Sequence, residues 1–262
     1  MDILLSARRL VFLVAVVVLA GCNTLYYPPP LYAPLPKHKG MVDISLSSQF
    51  HNDIGIDASY AVTKNVLIET SNTFTTSDFQ GQDALTSQTL NQLHGFNHNE
   101  FGIGYFTKSE DVLRAEMIVG FGAGSAQVTN TPDSGFTRFD DQHGRYIEPF
   151  FQGDFGIVAA NVSLVLSARV GRLAFTSFTN ESHQGTGQPS IVTNYSPSTT
   201  YAKGALIGRL GFDEIQFQLE MGLYLPLAVQ ELPYEFEPFF SNFGMSLRFD
   251  ALSLFGMPHD SL

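Results

Sequence analysis

The sequence has no tryptophan, a single cysteine, and only 15% charged residues. One thiol, Cys22, excludes an intrachain disulfide and any paired-cysteine redox or metal motif. Lysine is scarce, occurring at Lys37, Lys39, Lys64, Lys108 and Lys203. Setting aside Arg8, Arg9 and Asp2, the 14 basic and 25 acidic residues become 12 and 24, a net charge of −12. That balance argues against nucleic acid as a partner, because phosphate neutralisation needs a basic surface. A soluble domain usually carries roughly 25–35% charged residues on its surface, and this chain is too poor in charge to cover a globule that way. Beyond Cys22 there is no long apolar run, so no helix is expected to cross a membrane. No G-x-S-x-G, H-E-x-x-H or phosphate-loop motif occurs.

What is present begins at the N-terminus. Arg8 and Arg9 precede an unbroken apolar run from Leu10 to Ala20. The run is shorter than the about 20 residues a spanning helix needs. Its charge flank and length predict a secretory signal peptide over residues 1–21. The tetrad Leu19-Ala20-Gly21-Cys22 resembles the bacterial lipobox. That resemblance implies cleavage before Cys22 and attachment of a lipid to its thiol, with no other cofactor and no metal expected. Residues 22–39 hold Tyr26-Tyr27-Pro28-Pro29-Pro30-Leu31-Tyr32-Ala33-Pro34-Leu35-Pro36. Prolines this dense exclude helix and ladder strand, and predict an extended, stiff spacer between lipid and domain.

From Gly40 onward the pattern has period two. Ile215, Phe217, Leu219, Met221, Leu223 and Leu225 alternate with Gln216, Gln218, Glu220, Gly222 and Tyr224, and Val162 to Val170 behaves alike. One face of each strand is apolar and the other polar. Ten strands are predicted, near 41–50, 54–62, 66–74, 97–106, 112–126, 145–157, 162–176, 200–211, 214–226 and 238–250. Short links after strands two, four, six and eight face long polar ones at 75–96, 127–144 and 177–199. Short turns at one end and long loops at the other predict an all-β, ten-stranded, antiparallel up-and-down transmembrane β-barrel over residues 40–250. Residues 251–262 form a short tail. An even strand count puts both termini at the short-turn end, the periplasmic side of a bacterial outer membrane, with the long loops outside. A lipocalin-like soluble barrel and a two-sheet sandwich are the rival folds.

The chain resembles the outer-membrane β-barrel lipoproteins of Bacteroidota-type genomes. The residues that carry the resemblance are Leu19-Ala20-Gly21-Cys22, the Tyr/Pro-rich stretch, and the strand–turn–strand from Ile54 to Val66. In that group acidic residues just after the lipid cysteine accompany surface display. Asn23-Thr24-Leu25 has none, which implies a periplasm-facing anchor. The terminal aromatic of many barrels is missing at Leu262, and Phe249 is the substitute the resemblance suggests.

Projected inward, the polar faces carry Asp43, Asp57, Glu69, Glu100, Glu116, Glu148, Asp154 and Glu220, with Arg114, Arg169, Lys203, Arg209 and Arg248. A narrow barrel fills its interior with side chains. The expected lumen is therefore an ion-pair network of Glu69, Glu100, Arg114, Glu116, Glu148, Asp154, Arg169, Lys203, Arg209, Glu220 and Arg248. The expected role is structural or interaction-based rather than enzymatic. It places the chain against outer-membrane lipid, and as an accessory subunit beside other outer-membrane proteins. Loop aromatics Phe79, Phe96, Phe136, Phe139 and Phe178 are candidates for docking a partner or glycan. A narrow acid-lined channel is the second reading. A hydrolase resembling the omptins is the third, with His98, Asp140, Asp141 and His143 as general-base candidates; His94 lies four residues before His98, and His51 neighbours Asp53.

Overall fold

A computed structural model describes residues 24–49, 53–82, 89–107, 112–132, 138–159, 161–184, 190–227, 235–236, 238–254 and 256. Cys22, His51, Phe136 and the signal-peptide segment lie outside the described residues. The strands are β1 (Thr24–Tyr26), β2 (Met41–Gln49), β3 (Ile54–Ala61), β4 (Val66–Gln82), β5 (Thr89–Phe106), β6 (Leu113–Pro132) and β7 (Arg138–Val158). They continue as β8 (Val162–Gln184), β9 (Ile191–Tyr195), β10 (Ser198–Gly211), β11 (Ile215–Pro226), β12 (Glu235–Phe236) and β13 (Phe239–Asp250). One helical turn, α1 (Ala251–Leu254), follows.

Ten of these strands form a closed antiparallel barrel. Its order is β2-β3-β4-β5-β6-β7-β8-β10-β11-β13, with β13 pairing back onto β2. Met41 lies opposite Asp250, so the barrel's own ends meet at the short-turn end. β9 adds only to the upper part of β8. The three connections read as long loops are largely strand: β4 to β8 are 17 to 23 residues long and rise well above β2 and β3, of nine and eight. Their upper halves are rich in Thr, Ser, Asn and Gln, and such a run lacks the apolar alternation that marks a strand in sequence.

The two faces of a strand do not keep one polarity along its length. On β6 the outward residues Leu113, Met117, Val119 and Phe121 are exposed, and above them come Ala123, Ser125 and Gln127. On β7 the outward series runs from Ile157 up to Ile147 and then gives Arg145 and His143. On β8 it runs from Val162 to Val170 and then gives Arg172. The apolar belt is therefore bounded, and with ordinary strand rise and tilt it stands about 25 Å tall. Inside, the order is reversed. Charged residues line the belt level, while Phe96, Ala126, Val128, Tyr146, Phe175 and Phe178 form an apolar core above it.

Inward glycines make room for rings from neighbouring strands. A Cβ on Gly120 would lie 2.3 Å from Phe150, one on Gly171 2.4 Å from the Tyr201 hydroxyl, and one on Gly222 2.2 Å from Phe240. At the turn end Gly40 has φ +84°, a backbone that side-chain-bearing residues rarely adopt, and Leu252 packs over it. Overpacking typically costs about 1–3 kcal/mol. Gly171→Val is therefore expected to lower the unfolding temperature of the purified barrel by displacing Tyr201. Gly153→Val, at an outward position with open space, is expected to leave it unchanged. Equal transitions for the two variants in a thermal melt would refute the packing role.

Candidate functional site: the filled lumen

The Pro/Tyr-rich stretch is not a spacer outside the barrel. Residues 25–36 run through the lumen, and all but the half-buried Tyr27 are buried. β1 pairs in parallel with β12, which lies in the connection between β11 and β13 at the long-loop end. From there the segment descends. Lys37 reaches Asp213, in the short β10–β11 turn, at 3.1 Å. The described chain thus starts at the loop end, so the expectation of both termini at the turn end holds for the barrel strands but not for the segment before them.

The chemistry of the fit follows from proline. Pro28, Pro29, Pro30, Pro34 and Pro36 have no N–H, so the segment brings carbonyl acceptors and few donors. The lumen supplies the complement. Lys203 donates to the Pro29 carbonyl and Gln49 to that of Pro28, at 3.3 Å for the latter. Gln152 donates to Tyr32 O at 2.7 Å, Arg209 to Ala33 O at 2.6 Å, Arg248 to Pro34 O at 3.1 Å and Arg114 to Leu35 O at 3.1 Å. Two of the remaining amides meet carboxylates: Leu31 N donates to Glu220 at 2.8 Å and Leu35 N to Glu116 at 3.0 Å. Charge-assisted hydrogen bonds of this kind are roughly twice as strong as neutral ones.

Side chains alternate along the extended segment. Leu31, Ala33 and Leu35 pack on Val165, Ala205, Ile207 and Phe240. Tyr32 points the other way, its hydroxyl donating to Asp43 at 3.0 Å. Leu35 holds φ +46° ahead of a proline, where an L-residue is strained. Glu116 and Arg114 hold its two backbone groups, and its side chain fills the space Gly156 leaves.

Higher up, Tyr26 anchors the segment to a second cluster. Its hydroxyl donates to Glu148 Oε2 at 2.9 Å, while Tyr201 donates to Oε1. Arg169 makes a bidentate pair with Glu100 at 2.5 and 2.9 Å, donates to Gln152 at 2.9 Å, and lies 3.8 Å from the centre of the Phe150 ring. His98 bridges Glu100 at 2.7 Å and the Tyr146 hydroxyl at 2.9 Å. His98, Glu100 and Glu148 bring ligand atoms within 4.8 Å of one another. The Arg169 guanidinium already stands beside both carboxylates, 3.9 Å from Glu148.

All eleven residues expected in the lumen network are buried inside the barrel. Ion pairs join only some of them. Arg169 pairs with Glu100, and Arg248 pairs with Asp43 at 2.5 Å. Arg114, Lys203 and Arg209 turn to carbonyls of residues 24–36 instead. Asp154 accepts from Gln152 at 3.0 Å, and Glu69 Oε2 has no hydrogen-bond partner among the described residues. The sequence reading missed the segment itself, with Tyr26, Tyr32, Tyr146, Tyr201 and Gln152. Its signal was present: a solvated spacer has no use for Tyr26, Leu31, Tyr32 and Leu35.

The four hydrolase candidates are not one site. His98 is buried in the lumen. His143 sits on the exposed outer face of β7, three residues from the inward Tyr146. Asp141 accepts from the Asn130 amide at 2.7 Å and faces His183 at 3.2 Å, and Asn130 donates to the Asp140 carbonyl. His94 points inward beside Tyr27. Of the loop aromatics, Phe96 and Phe178 are core, not surface. No protein-family model and no curated protein matches the chain.

Two expectations follow. Removing one partner of a buried pair typically costs about 3–5 kcal/mol. Arg169→Met is expected to destabilise the barrel by that order, and adding Glu100→Gln to restore part of the loss. Chemical unfolding of the single and double variants checks this, and purely additive losses would refute the pairing. The second concerns Asp53, in the β2–β3 link, whose carboxylate is buried and has no hydrogen-bond partner among the described residues. Burial raises its pKa to about 7. The folded state thus favours the protonated acid. Its contribution is complete below the unfolded value of about 3.9 and is lost as pH climbs toward 7, at about 1.4 kcal/mol per unit. Melting temperature is expected to fall over that window in the native protein and to fall less in Asp53→Asn. Parallel pH profiles would refute it.

Proposed function

We propose that this protein is a lipid-anchored outer-membrane β-barrel of the Bacteroidota type. Its lumen is sealed by its own N-terminal segment, and it acts as a structural or interaction subunit through its loop-end face. The observation that carries the reading is the set of bonds from lumen cations to the carbonyls of Pro29, Ala33, Pro34 and Leu35. A lumen in which four of the five inward bases bond a resident segment is a plug, not a path. The bounded apolar belt supports insertion into a bilayer, because outward Leu, Phe, Ile and Val are left exposed over a height that matches hydrocarbon. The rise of β4 to β8 above the belt supplies a tall polar wall on one side of the loop end, and that is the surface for a partner.

The test is insertion and conductance together. The extracted protein is expected to migrate faster unboiled than boiled on a denaturing gel, and to give no current steps in a planar bilayer. An arginine at the midplane of a lipid-facing strand costs roughly 2–4 kcal/mol. Leu166→Arg is therefore expected to deplete the fast band, and Ser125→Arg, outward but above the belt, to spare it. Sustained conductance would turn the reading to the narrow channel. A single band with release from membranes in Cys22→Ser would turn it to a soluble barrel.

A further inference from the structure

Residues 24–36 cross the barrel from loop end to turn end, and this direction fixes where anything attached before Thr24 must go. Cys22 lies two residues upstream, a reach of about 7 Å. The turn end lies roughly 40 Å away along an extended segment of this length. The segment is also trapped. The wall closes around it between β13 and β2, its far end continues through Gly40 into β2, and lumen side chains hold its backbone from Pro28 to Leu35.

The rim where it emerges is the low one. β2 and β3 end at Gln49 and Ile54, β11 ends at Pro226 and β13 begins at Phe239, whereas β4 to β8 rise far higher on the other side. β1 is held against β12 in the β11–β13 connection, so the chain leaves beside this low edge. Directly below the edge, on the outer face of β8, β10 and β11, runs an apolar groove of about 720 Å³. Its floor is Ala168, Ala202 and Gly204, and its walls are Leu206 on one side and Leu223 and Leu225 on the other. The small residues lie together because Gly204 pairs with Ala168 across the β8–β10 ladder and Ala202 stands two residues along the same strand, while Leu223 faces Gly204 from β11.

We propose that the acyl chains on Cys22 fold over the low rim and lie in this groove, in the leaflet at the loop end. The proposal rests on the lipid-anchor reading given above, and reverses the side of the membrane that the sequence implies for the anchor. The protein is then tied to the outer leaflet by lipid and to the turn end by the barrel's own strands. With lipid at one end and the barrel wall at the other, residues 24–36 form a fixed core and not a retractable gate.

Cells grown on a photoactivatable fatty acid, a diazirine-bearing palmitate, provide the test. After irradiation, the peptides crosslinked to the Cys22 acyl group are mapped by mass spectrometry. Crosslinks concentrated in 202–206 and 221–225 are the expected result. Crosslinks at the belt's lower edge, at Val112, Phe212 and Ile215, would overturn the proposal, and so would an even spread around the upper belt. A Cys22 without acyl mass would instead overturn the anchor reading, which the same spectra report separately. Asn23→Cys, probed with a membrane-impermeant maleimide on intact cells, keeps the direction of the segment testable in that case. Labelling equal to that of Leu227→Cys, at the loop end, is expected. Labelling only after permeabilisation, as for Asn65→Cys in the β3–β4 turn, would overturn the loop-side exit.

Discussion

A cation enclosed in a narrow barrel must find an acceptor, and here four of them find the backbone of one proline-rich segment. Buried charge is tolerated only when paired or hydrogen-bonded. Arg114 lies on β6, Lys203 and Arg209 on β10 and Arg248 on β13, and of these four only Arg248 has a carboxylate partner at ion-pair distance. Carbonyls presented at successive residues along an axis reach all four. The wall and the segment are thus one construction. Without residues 28–35 the lumen would hold unpaired bases facing Glu116 and Glu220, and without the bases the carbonyls of the segment would be buried unpaired.

Proline is the residue that makes this complementarity simple. An ordinary extended chain needs as many acceptors as donors from its surroundings. Five prolines among residues 28–36 remove five donors, so the lumen's cationic and amide donors take up the carbonyls while few acceptors are needed for the remaining amides. The residues between them serve packing: Leu31, Ala33 and Leu35 fill the space along β8 and β10, and Tyr26 and Tyr32 carry hydroxyls to Glu148 and Asp43. Lys203 and Arg169 face each other directly across the β8–β10 ladder, a like-charge pairing that weakens a sheet by itself. Divergence resolves it, since Lys203 turns to Pro29 and lies against Phe240, while Arg169 turns to Glu100 and lies against Phe150.

Much of the barrel could be read from sequence because period-two alternation is strong wherever one face of a strand is apolar and the other polar. Ile215 to Leu225 declares its inward and outward sets without ambiguity, and the ten strands and their pairing follow. Above the belt that contrast disappears. Asn97 and Asn99 on β5 alternate with inward Phe96 and His98, and Ser125, Gln127 and Thr129 on β6 with inward Ala126 and Val128, and a mixed pattern of this kind looks like loop. The inward charges were legible as a set, but their partners were not. Pairing Arg209 with Ala33 O joins residues 176 positions apart, and no local pattern encodes such a contact. The filled lumen was missed for a further reason: proline density marks an extended chain equally well in water and in a protein interior, and only the large side chains between the prolines separate the two.

The inversion of polarity along single strands also explains why the aromatic residues collect where they do. At belt level the outer face is apolar and the inner face carries charge. Above it the outer face is polar and the inner face is the apolar one, as in a soluble protein. Tyr26 stands at the junction. Its ring packs edge-on against Phe96 and Tyr146 in the upper core, and its hydroxyl reaches down to Glu148 in the charged layer. Tyr201 does the same from the wall, stacked on Tyr224 and bonded to the same carboxylate. An amphipathic side chain is the natural occupant of a boundary between two interiors of opposite character. Glu148, shared by one tyrosine of the segment and one of the wall, is where the two interiors and the two parts of the chain are joined.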